Sequence, residues 1–204
     1  MRNKLLLAMA VTGMMYGVSA YAIDEHTPPA KFGSGTVTFR GTILNAPCDI
    51  ATGDDKLDVD FGQVSYRSLK AHDVADDAHA KNFTITLKNC EFDKGAINSG
   101  GNQTAPDLMS MVQIAFSGTP AAGSKKAFVS ATDPNLGVQL TDAKGTIIEP
   151  LAVPDFAKAG DPVQLNPGDN MLVYTAKLMN VGTTDGSVKT GAFSIPVNYT
   201  LKYQ

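Results

Sequence analysis

The residues able to do chemistry are few and scattered. His72 and His79 stand seven apart in a stretch that also holds Asp73, Asp76 and Asp77, and His26 lies far upstream. Imidazole and carboxylate together are the donor set of a zinc or mixed metal site, but no ligand spacing recurs, and the stretch reads as a solvated polar loop. Asp54, Asp55, Asp58 and Asp60 read as turn and strand-surface charges. Two thiols complete the inventory, Cys48 and Cys90. No nucleophile elbow, His-bearing triad or phosphate loop is present, so no catalytic residue, metal ligand or cofactor is expected. Asn82-Phe83-Thr84, Asn102-Gln103-Thr104 and Asn198-Tyr199-Thr200 match the N-glycosylation pattern, two of them inside strand-like runs where such matches arise by chance.

The start of the chain sets the redox context of the thiols. Arg2 and Lys4 precede an apolar run, Leu5 to Val18, and Ala20-Tyr21-Ala22 is a small-x-small cleavage site. The run is shorter than the roughly 20 residues that span a bilayer. Residues 1–22 are therefore expected to be a cleaved secretory signal, leaving 182 residues from Ile23. That product carries fifteen basic against twenty acidic residues, a net charge of −5 with His neutral. Without a basic patch, nucleic acid and anionic membranes are poor partners. Two cysteines in an exported chain most simply form one disulfide, Cys48–Cys90; no His stands near either at ligand spacing. Closing a loop of about 43 residues is worth about 4 kcal/mol in the chain-entropy model.

The elements that would carry these residues alternate with a period of two. Thr36–Leu44, Lys81–Cys90 and Leu108–Gly118 read as strands with one apolar face, and Asn135–Leu140, Gly145–Leu151 and Asn170–Met179 as shorter ones. The chain ends on the most regular run: Phe193, Ile195, Val197, Tyr199, Leu201 and Tyr203 are apolar, with Ser194, Pro196, Asn198, Thr200 and Lys202 between them. Ser68–Asn82 fits a short helix or an irregular loop, and Ile97–Asp107 is a loop by composition. Ile23–Gly35, with two prolines and two glycines, has no periodicity and reads as a tail. Many short strands with Gly/Pro turns make an all-β sandwich the expected fold.

In order along the mature chain, GTVTFRGTILNAPC, FTITLKNC, NPGDNMLVYTAKL and the ending GAFSIPVNYTLKYQ with its penultimate tyrosine resemble the pilin subunits of chaperone–usher fimbriae, of the type 1 and P-pilus kind. The resemblance implies an incomplete immunoglobulin-like β-sandwich lacking its last strand, completed in trans by donor-strand complementation. It implies three partners: a periplasmic pilus chaperone, an outer-membrane usher and neighbouring pilin subunits. It places the protein, exported through the periplasm, in an extracellular fimbria on the bacterial surface, as a major rod subunit or else a minor adaptor or terminating subunit. On this reading residues 23–35 are a donor-strand extension and 36–204 the pilin domain. Gly33, Gly35, Val37 and Phe39 share the donor face, and Phe193, Ile195, Val197, Tyr199, Leu201 and Tyr203 line the acceptor groove. Two features depart from the pattern: Pro196 removes a backbone donor from the last strand, and Pro28-Pro29 shortens the pairing part of the extension. A single-domain surface lectin, its ligand site on the loop 97–107, is the rival reading.

Overall fold

Strands form where alternation coincides with a partner. A computed structural model describes residues 35–95, 101 and 108–204, and within them eight strands make two antiparallel sheets. The larger sheet has the order β1 (Asp49–Ile50), β2 (Lys81–Cys90), β7 (Gly168–Asn180), β5 (Leu136–Thr141) and β4 (Phe128–Val129). The smaller has the order β6 (Val163–Gln164), β3 (Met111–Gly118) and β8 (Val197–Tyr203). The inward rows of both sheets form one core, in which Ile85, Leu87, Val112, Phe116, Leu172 and Tyr174 are buried together. Phe83, Phe116 and Tyr174 pack as an aromatic cluster, Tyr174 edge-on to Phe116 at 4.9 Å and stacked with Phe83 at 5.6 Å. Gly137 lets β5 sit tightly, since a Cβ there would lie 2.8 Å from the Ala127 methyl.

The disulfide forms as expected, Cys48 to Cys90, tying the residue before β1 to the end of β2. The Ser68–Asn82 stretch is neither helix nor free loop. A 3₁₀ turn at Tyr66–Leu69 leads into a ribbon that makes single bridges to the end of β7, His72 to Asn180 and Ala75 to Met179. Buried Asn180 anchors this region: its Oδ1 accepts from Gly182 N–H at 3.0 Å and Ser187 Oγ at 2.7 Å.

Three strand expectations are corrected. Gly145–Leu151 is a turn and bridges rather than a strand: Asp142 Oδ1 accepts from the N–H groups of Lys144 and Thr146, and Pro150 has no N–H to pair. The last strand starts at Val197, not Phe193, because Pro196 interrupts the ladder where it has no N–H to offer. Thr36–Leu44 is not a strand in this single chain, and Val37, Phe39 and Ile43 are exposed. Alternation alone does not make a strand; an edge to pair with is also required. The chain divides into two units, Met1–Ile43 and Leu44–Gln204. The expected signal (1–22), residues 23–34 of the expected tail with Gly33, and the expected loop 97–107 apart from Gly101 lie outside the described residues.

Candidate functional site

The candidate site is an apolar groove along β8. Its larger part has a volume of about 690 Å³ and a floor of Phe83, Phe116, Val138, Leu140 and Ala176, all inward residues of the core strands. One wall is the end of the chain, with Phe193, Ile195, Val197 and Tyr199 facing in. The opposite wall is Leu57–Phe61, and a second cavity of about 340 Å³ continues the groove past Val59 and Phe61 to Gly191.

Both walls offer unpaired backbone. Among the described residues β8 is the last strand of its sheet and pairs only with β3. Met111 and Gln204 exchange both of their hydrogen bonds, each 3.0 Å, which fixes the phase of the antiparallel ladder. The N–H groups of Asn198, Thr200 and Lys202 therefore point to β3, and those of Val197, Tyr199, Leu201 and Tyr203 to the open edge. Across the groove, Leu57–Phe61 makes no backbone–backbone hydrogen bond among the described residues. Such an edge beside apolar side chains invites a further strand.

One end of the groove is closed. Tyr199 crosses to the 3₁₀ turn Asp54–Lys56 and donates its hydroxyl to the Asp54 carbonyl at 2.8 Å, while Asp54 Oδ2 accepts from the Thr86 N–H at 2.6 Å. Burial, with Asp54 and Asp55 adding, pushes the Tyr199 phenol above the usual tyrosine range. Beyond this latch, Leu201 and Tyr203 pack against the core instead of lining the cavity. Burial, with Tyr199 adding, also raises Tyr203, whose hydroxyl is buried and lacks a hydrogen-bond partner among the described residues.

Of the six C-terminal residues expected to line a groove, Phe193, Ile195, Val197 and Tyr199 line the cavity, and Leu201 and Tyr203 do not. The Leu57–Phe61 wall and the floor were not expected as parts of the site. Leu57, Val59 and Phe61 do alternate with aspartates between two glycines, a period-two signal masked by the density of charge. The His and Asp stretch builds no metal site among the described residues: His79 Nδ1 meets Asp76 Oδ2 at 2.7 Å, and the backbone N–H of His72 bonds Asp185.

Residues 37–204 match the family described as fimbrial protein. The F7-2 fimbrial protein of Escherichia coli is 32% identical over 203 residues, covering 98% of this chain and 99% of its own length. The Pap fimbrial major pilin protein of Escherichia coli is 28% identical over 187 residues, covering 92% and 93%. A chaperone–usher pilus structure concerned with rod uncoiling superposes with a TM-score of 0.65 at 29% identity, covering 85% of this chain and 97% of that one. The P pilus rod subunit PapA superposes at 0.60 with 26% identity, covering 78% and 100%. The two-sheet sandwich with its open β8 edge is accordingly the incomplete immunoglobulin-like fold of pilus subunits, and the chain belongs to the fimbrial protein family.

Proposed function

We propose that the protein is a rod subunit that polymerises by passing its N-terminal extension into the β8 groove of the next copy. That it is a structural pilus subunit, with other pilins as neighbours in an extracellular fimbria, follows from its family and from the rod-subunit structures it matches. The observation carrying the donor-strand reading is the free edge of β8 beside the apolar groove: one strand is wanted there, and no strand among the described residues supplies it.

The extension matches that need in its sequence. Val37 and Phe39 supply an apolar row, and Gly33 and Gly35 share its parity, where small residues allow close approach to a floor. Nothing lies within 4 Å of a Cβ at Gly35, so the chain's own fold does not require that glycine. In this reading Phe193, Ile195, Val197 and Tyr199 form the receiving wall. Leu201 and Tyr203 set the pairing edge beyond the cavity. A cleaved leader (1–22) directs export, a periplasmic chaperone covers the groove first, and an outer-membrane usher hosts the exchange.

The test is a deletion of Ile23–Gly35. Fibres sheared from cells making the natural chain should run as a ladder in mild detergent and collapse to monomer on heating. The deleted chain should give no ladder. A ladder from the deleted chain, or none from the natural one, would count against donation by this segment.

A further inference from the structure

The groove has an apolar floor, but its charge is confined to one wall. Asp55 and Asp58 line the larger cavity beside Lys56, and Asp58 and Asp60 line its continuation. All three carboxylates are exposed, and none makes an ion pair among the described residues. Among the described residues only Asp60 of the three has a local bond, accepting from the Gly62 N–H at 2.7 Å. The facing wall, Phe193–Tyr199, contains no charged residue. An occupant therefore meets a trough whose rim is net anionic, three carboxylates against the single Lys56.

The sequence holds one segment with the complementary pattern. Lys31–Arg40, KFGSGTVTFR, has a basic residue at each end and no acidic residue between. Extended at about 3.3 Å per residue, its two ends lie about 30 Å apart, against about 14 Å from Asp55 to Asp60, whose first two steps belong to the 3₁₀ turn at about 2 Å each. With the segment centred on the acidic stretch, each base lies about 8 Å beyond an end, within the joint reach of a long basic side chain folding back and an aspartate extending toward it.

We propose that Asp55, Asp58 and Asp60 select the occupant by charge, favouring Lys31 and Arg40 of a second copy of this chain over an equally apolar strand without flanking bases. This rests on the donor-strand reading of the groove. Rim charges act mainly on encounter and register and are weakened by salt.

The test uses full-length chains in cells. A tagged copy is expressed beside the untagged natural chain, and the tagged fraction of sheared fibres is compared with the tagged fraction of the unassembled pool. The tagged natural chain should enter in proportion. A tagged copy with Lys31→Glu and Arg40→Glu should be depleted about three- to ten-fold, the scale of a few exposed pairs lost and reversed. Asp58→Lys with Asp60→Lys in the untagged chain should restore its entry. Proportional entry of the reversed copy overturns charge selection. Should the rim variant not accumulate, salt decides: displacement by a peptide covering residues 23–41 must slow as salt rises, and that of its Lys31→Gln, Arg40→Gln counterpart must not. Equal salt dependence overturns the proposal. If a copy lacking residues 23–35 enters as well as the natural one, the donor reading itself falls.

Discussion

β7 and β8 carry the same message in sequence and receive different treatment in the fold. In β7, Leu172, Tyr174, Ala176 and Leu178 alternate inward and are all buried, with β2 and β5 paired on either side. In β8, Val197, Tyr199, Leu201 and Tyr203 alternate just as strictly, yet each is only half-buried, and one backbone edge is open. Alternation states what a strand needs covered; topology decides whether the same chain can cover it. On the proposed donor-strand reading, the difference between the two is one strand that a neighbouring subunit supplies.

The comparison breaks most visibly by substitution in β7. Leu178→Ala empties a fully buried site and should cost about 2–5 kcal/mol, seen as a lower urea midpoint of the isolated chain. Converting Cys48 and Cys90 to serine should cost about 4 kcal/mol, or somewhat less where the unfolded chain keeps structure, in the same titration. Leu201→Asp on half-buried β8 should cost less than a charge at Leu178, because the carboxylate has a path to water. It should still lower the periplasmic level of the subunit, measured by immunoblot against the natural chain.

Two tyrosines sharpen the contrast within β8 itself. Tyr199→Phe removes the hydroxyl's bond to the Asp54 carbonyl and should cost about 0.5–1.5 kcal/mol, loosening the closed end of the groove. Tyr203→Phe removes a buried hydroxyl without a partner among the described residues and should be neutral or slightly stabilising. Paired urea titrations of the two variants check this, and equal losses would show that the latch contributes nothing specific.

Much of this was legible in the residues. The long strands β2, β3, β7 and β8 follow their alternation, and the disulfide follows from an exported chain with two thiols. The two-residue strands β1, β4 and β6 were not legible, because a pair of residues has no period. Thr36–Leu44 was legible as a strand and is not one here, since its demand for a partner is unmet within one chain. The Leu57–Phe61 wall was hidden because Asp58 and Asp60, standing between its apolar residues, read as surface charge. Sequence thus marked two segments patterned for strand pairing, Thr36–Leu44 and β8, and the fold leaves the first without a strand and the second with an open edge.

The most direct test of that claim is amide hydrogen exchange in assembled fibres against the same protein dissociated to monomer. The N–H groups of Val197, Tyr199, Leu201 and Tyr203 face the open edge, whereas those of Asn198, Thr200 and Lys202 already bond β3. Assembly should protect the first set strongly and change the second set little, with new protection also appearing along Leu57–Phe61. Fibres in which the odd-numbered amides of β8 exchange as fast as in the monomer would contradict the account, because no strand could then be paired along that edge.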